Sequence, residues 1–200
     1  MTDPTNGYEA VADRFLAARS ATGAEIVRDW ARALPAGSTV VDIGCGGGWP
    51  VATTLARAGM TVAGIDPSPT LLAAFRRALP DADTACEAVE DSRFFGRRFD
   101  GAVAIGLLFL LPEAAQATLI ARVGRVLHPG GRFLFSAPRD AATWTDRLTG
   151  RTSRSLGQGA YAALLADADL HLAGIVSDTG GNDHFMAVAG RGGGPYYGRS

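Results

Sequence analysis

Residues 42–48 read Asp-Ile-Gly-Cys-Gly-Gly-Gly. They begin inside the apolar, β-branched run 39–43 and end just before Pro50, a residue favoured in the first turn of a helix. Strand, glycine loop and helix in that order define a βα unit of a parallel sheet, with the loop at the carboxyl end of the strand. Gly44, Gly46 and Gly48 allow a tight turn and let a ligand approach the backbone with no Cβ in the way. The amide groups of the helix that follows face the same place.

The rest of the chain repeats this rhythm. Helices are expected over 9–20 and 23–34, then strand 39–43 and a helix from Pro50 to about Ala58. Strand 61–65 precedes a helix that Ser68 caps and that runs to about Leu79. A weaker strand is expected over 84–89 and a strong one over 99–105. Next come a helix from Pro112 to about Leu127, strand 131–137, and a helix over 161–168. Strands 170–177 and 183–189, joined by the turn 178–182, close the chain as a hairpin. The predicted fold is α/β: a doubly wound, Rossmann-like seven-stranded sheet. It is mostly parallel, with an antiparallel C-terminal hairpin strand and helices on both faces. Residues 1–35 read as an N-terminal helical cap whose first eight residues are a loose arm, residues 36–190 as the ligand-binding domain, and residues 191–200 as a disordered tail. Residues 139–157 break the rhythm with arginines, Trp144, serines and glycines, and are expected to form a lid loop.

Composition removes several function classes. With 19 basic and 20 acidic residues the net charge is −1, so nothing draws the chain as a whole to nucleic acid or to a membrane surface. Every basic residue is arginine. The absence of lysine excludes a phosphate-loop lysine and Schiff-base chemistry. Cys45 and Cys86 form no CxxC pair, and His128, His171 and His184 are far apart in sequence, so neither a disulfide framework nor a metal site is expected. No basic stretch followed by an apolar core begins the chain, and the longest apolar run, 102–112, is too short to span a bilayer. A cytoplasmic protein is the expectation.

Two acids narrow the ligand. The third-glycine position of a dinucleotide fingerprint is Trp49, so that fingerprint fails. Asp42 would repel a pyrophosphate and suits a cation, while Asp66, ending the second strand, is placed to bond ribose hydroxyls. The profile is a ligand with an ammonium group, a ribose and no phosphates.

These residues resemble the class I S-adenosylmethionine-dependent methyltransferases. The resemblance covers about residues 36–190 and implies S-adenosylmethionine as cofactor and S-adenosylhomocysteine as product. It implies that Asp42, Gly44, Gly46 and Gly48 hold the methionine part, with Cys45 counted among the cofactor-binding residues as a small apolar filler of the loop, that Asp66 takes the ribose, and that Pro67 lies near adenine. The stretch 99–111 resembles the fourth-strand motif, with Ile105 and Gly106 near the reacting end, and 127–135 resembles the turn and strand that follow. Where such proteins often place an acid beside adenine, this chain has Val89 and Glu90, which are expected to contribute a backbone contact and a side chain respectively. No histidine follows the fourth strand, and the Asn-Pro-Pro-Tyr motif of amine methylation is absent.

His184, at the start of the last strand, is the candidate general base. Tyr8, Phe109, Trp144, Arg154 and Tyr161 are the candidate substrate contacts. An aromatic ring and arginines over the pocket suit a planar or anionic acceptor. The chain reads as an enzyme that methylates a small molecule by in-line displacement, acting as a monomer or homodimer. A protein or RNA acceptor, or a module that binds the cofactor without transfer, stays open. So does the acceptor atom, since methyl transfer needs a base only when the nucleophile must lose a proton.

Overall fold

The computed structural model of the chain describes residues 3–190. Nine strands and six α-helices follow one another as α1 (Ala12–Ala18), α2 (Ala24–Ala31), β1 (Thr39–Ile43), α3 (Val51–Arg57), β2 (Thr61–Ile65), α4 (Pro69–Ala78), β3 (Asp83–Ala85), β4 (Phe99–Ala104), α5 (Glu113–Val126), β5 (Leu127–Ser136), β6 (Ala142–Thr145), β7 (Thr152–Ser155), α6 (Gln158–Asp167), β8 (Leu170–Ser177) and β9 (Asp183–Ala189). Seven of the strands form one sheet in the order β3-β2-β1-β4-β5-β9-β8. β1 to β5 pair in parallel, and β9 runs antiparallel between β5 and β8. This is the expected doubly wound sheet with an antiparallel closing hairpin.

Alternation along the strands divides the core. In β1, Val41 and Ile43 face Leu119, Ile120 and Val123 of α5 and Leu165 of α6. Val40 faces Val27 and Trp30 of α2, Leu55 of α3 and Phe75 of α4. Helices therefore cover both faces, as continuously apolar parallel strands require. α2 packs directly on the sheet through Trp30, and a Cβ on Gly101 of β4 would stand 2.7 Å from that indole. α4 starts where Ser68 accepts the N–H of Leu71, with Pro69 in its first turn.

Four local expectations need correction. β3 ends at Ala85, not 89, because residues 88–92 turn and Val89 leaves the strand to enter the core. The first helix is a 3-10 turn followed by the short α1, after which Arg19 is extended. Residues 139–157 are not an irregular loop. β6 and β7 form an antiparallel hairpin, and Asp146 closes its turn by accepting the N–H groups of Leu148 and Thr149. Residues 3–8 are not a loose arm either, since the Asp3 carboxylate accepts from the N–H groups of Thr5 and Gly7. The tail 191–200 lies outside the described residues.

Candidate active site

β1 and β4 are neighbours whose connections leave in opposite directions, which opens a crevice at their carboxyl ends. The glycine loop lies there. Gly44 and Cys45 both donate their N–H to the Ile65 carbonyl at the end of β2, at 2.8 and 3.1 Å. Gly46 has φ +52° and Gly48 φ +82°, and a Cβ on Gly48 would meet the Phe75 ring at 2.9 Å. The loop keeps its shape only with glycine at these two positions.

Asp66 ties this loop to the next one. Its Oδ2 accepts the Gly46 N–H and its Oδ1 the Ser68 N–H, both at 2.8 Å. Each oxygen keeps a second lone pair for a ligand hydroxyl. Burial raises its pKa, and the two N–H donors oppose that shift.

Asp42 is 2% exposed, and its Oδ2 has no hydrogen-bond partner. Burial pushes its pKa up to about 8, against the pull of Arg19. Arg19 lines the same crevice, with its guanidinium over the Phe15 ring. A buried carboxylate short of a donor and a nearby guanidinium form a receptor for a zwitterion: ammonium to Asp42, carboxylate to Arg19.

Residues 3–9 roof the crevice. Asp3 pairs with Arg151 at 2.7 Å, Asn6 donates to the Leu110 carbonyl at 3.1 Å, and the Tyr8 hydroxyl donates to Asp146 at 3.2 Å. On the other side Glu9 accepts from Ser68 and from the Thr70 hydroxyl. Under this roof the cleft measures about 100 Å³. A second cavity, of about 450 Å³, shares Arg19, Ile105 and Gly106 with it.

Residues 40–131 match the family model described as a methyltransferase domain. An uncharacterized methyltransferase of Synechocystis sp. is 33% identical over 112 residues, 56% of this chain and 52% of that protein. A ubiquinone biosynthesis O-methyltransferase of Methylobacterium sp. is 35% identical over 102 residues, 49% of this chain and 40% of that protein. The chain thus spans about half or less of the length of these curated relatives. Among solved structures, the 1,6-didemethyltoxoflavin-N1-methyltransferase of Burkholderia thailandensis, with 1,6-didemethyltoxoflavin and S-adenosylhomocysteine bound, superposes with a TM-score of 0.71. The identity is 20%, and the match covers 95% of this chain and 92% of that one.

Residues 40–131 are thus similar to a methyltransferase domain, and the chain shares the fold of solved methyltransferases. Asp42, Gly44, Cys45, Gly46, Asp66, Pro67, Ile105 and Gly106 all line the cleft, as does Tyr8. Gly48 shapes the loop from below. Val89 is buried in the core and Glu90 is exposed, and neither lines the cleft. Phe109, Trp144 and His184 line the larger cavity.

Arg154 and Tyr161, expected at the acceptor, line neither the cleft nor the larger cavity. Arg154 lies in β7 beside Glu113, in a separate outer hollow. Tyr161 is fully buried, its ring against Phe135 and Phe185 and its hydroxyl on Gln116 Oε1 at 2.7 Å. The helical spacing of 161–168 is consistent with this core position. Sequence reading missed Arg19, Phe15 and Asp178. Only a three-dimensional neighbour distinguishes Arg19 from the other eighteen arginines. Among the described residues no cluster of three or more His, Cys, Asp or Glu is placed to hold a metal ion, and no helix is long and apolar enough to cross a membrane.

Proposed function

We propose that this chain is an S-adenosylmethionine-dependent methyltransferase acting on a small-molecule acceptor. The observation that carries the reading is the unpartnered Oδ2 of the buried Asp42 beside Arg19. A ligand with an α-ammonium and an α-carboxylate satisfies both. Asp66 holds the ribose hydroxyls with its remaining lone pairs, and Pro67 and Leu71 offer apolar surface to adenine. The cofactor, when bound, supplies a methyl group already activated on a sulfonium.

What the chain itself must do is align and exclude water. Ile105 and Gly106 stand where cleft and cavity meet, so the methyl carbon belongs there. Ser136 fixes this junction by accepting the Gly106 N–H at 2.8 Å. The roof of residues 3–9 keeps bulk water from the cleft. The cavity of about 450 Å³ falls within the range of roughly 300–1,000 Å³ for small-molecule sites. Trp144 brings the β6–β7 hairpin over it, which gives that hairpin the role of an acceptor lid.

A comparison of ligands tests this reading. Arg19→Leu should weaken S-adenosylmethionine at least tenfold while leaving 5′-methylthioadenosine, which lacks the amino-acid part, nearly unchanged. Equal losses for both ligands would remove Arg19 from the zwitterion site.

A further inference from the structure

The larger cavity is lined by two chemically different sets of groups. One is the pair of rings of Phe109 and Trp144, 5.5 Å apart at 46°. The other is His184, Asp178 and Asn182.

His184 is fixed by its neighbours. Its Nε2 lies 3.0 Å from Asp178 Oδ2, and both side chains are 2% exposed. The Asp178 carboxylate also accepts the N–H groups of Gly180 and Asn182 and the side-chain amide of Asn182. Burial pushes its pKa up, but these donors together hold it below the ordinary carboxylate value. An ionised Asp178 can only accept, so Nε2 carries the hydrogen, and in the neutral ring Nδ1 then holds the lone pair. Nδ1 is buried and has no partner among the described residues. A buried lone pair closed to water and left unpaired weakens the fold for no structural return. It is explained if a ligand supplies the missing donor.

We propose that this cavity takes a flat aromatic acceptor bearing a ring O–H or N–H, stacked on Phe109 and Trp144 and donating that hydrogen to His184 Nδ1, with Asp178 as the positioning residue that fixes the tautomer. The proposal rests on the adjoining cleft holding S-adenosylmethionine. In the transfer, an electron pair of the acceptor oxygen or nitrogen forms the bond to the methyl carbon. The carbon–sulfur bond breaks and its pair stays on sulfur, leaving the neutral thioether. The acceptor proton passes to Nδ1, so His184 leaves the step as an imidazolium paired with Asp178, and the proton leaves to water that enters the cavity once the methylated product has departed. Arginine and backbone groups supply none of this, since none of them is a free base.

Calorimetry on the full chain tests the proposal. S-adenosylhomocysteine is titrated first. The saturated protein is then titrated with 7-hydroxycoumarin, indazole, 7-methoxycoumarin and cyclohexanol. One of the first two should bind saturably, with 7-methoxycoumarin and cyclohexanol at least tenfold weaker. Trp144→Ala should cost tenfold or more, and His184→Phe should erase the preference for hydroxyl over methoxy. Nitrogen-15 spectra of the wild type need no variant that might misfold. The Nδ1 resonance of His184 should move on ligand binding, and Asp178→Asn should shift the imidazole toward the other tautomer. Binding of neither aromatic donor, equal binding of cyclohexanol, or an unmoved Nδ1 resonance overturns the proposal with the cofactor reading intact. Failure of S-adenosylhomocysteine to bind overturns both.

Discussion

The backbone N–H of Gly46 donates to Asp66 Oδ2 at 2.8 Å, so the acid that ends β2 holds the loop that leaves β1. Asp66 serves the scaffold before any ligand arrives. Asp66→Ala should therefore do two things. Loss of two charge-assisted hydrogen bonds, at roughly 1.5–3 kcal/mol each, should destabilise the chain even without ligand. It should also reduce S-adenosylmethionine affinity by tenfold or more. Chemical denaturation and calorimetry separate the two losses. A variant with unchanged affinity would show that the ribose is held elsewhere.

Asp42 makes stability and binding respond to pH in opposite directions. Its pKa is about 8 in the fold against an ordinary 3.8, so between these values the native state holds a proton that the unfolded chain has lost. The contribution of Asp42 to stability is complete below about pH 4 and is lost as pH rises through 8, at up to about 1.4 kcal/mol per pH unit. A ligand ammonium needs the ionised form, so S-adenosylmethionine should bind more tightly at pH 7.5 than at pH 6. Denaturant midpoints and calorimetry at several pH values read the two trends. Asp42→Asn should flatten both.

How much of this is legible in the chain depends on how local the signal is. The doubly wound seven-stranded sheet follows from strand–helix alternation, and the cleft acids from their places at the ends of β1 and β2. Residues 139–157 were opaque because two four-residue strands separated by a six-residue turn carry too little periodicity to stand out from a polar loop. Tyr161 misled because its neighbour in sequence is a polar segment, whereas its neighbours in space are Phe135 and Phe185. Arg19 and Asp178 act through partners 23 and 6 residues away in the chain, which no spacing rule connects.

The placement of Tyr161 gives a sharp contrast. Its hydroxyl donates to Gln116 Oε1 and accepts the Leu156 N–H, both inside the core. Tyr161→Phe leaves these two groups unsatisfied and should cost about 1–3 kcal/mol of stability. Cofactor affinity and methyl transfer should stay within a few-fold of the wild type below the melting transition. A selective loss of turnover at full folding would return Tyr161 to the acceptor site.

The roof controls entry. A cleft of about 100 Å³ is below the roughly 300 Å³ of the smallest usual ligand pockets, so residues 3–9 are expected to lift when the cofactor enters. Glu9→Ala removes the anchors on Ser68 and Thr70. It should raise both association and dissociation rates of S-adenosylmethionine in stopped-flow measurements, with residues 3–9 gaining amide exchange. Unchanged rates would show that the cofactor enters by another route.

The identity of the nucleotide that the glycine loop accepts decides the function. Titration of the full chain with S-adenosylmethionine in a calorimeter, with NAD as the rival, tests it most directly. Saturable one-to-one binding of S-adenosylmethionine, no heat from NAD, and at least a tenfold loss of S-adenosylmethionine affinity in Asp42→Ala are the predicted results. Binding of NAD with no binding of S-adenosylmethionine would contradict the account.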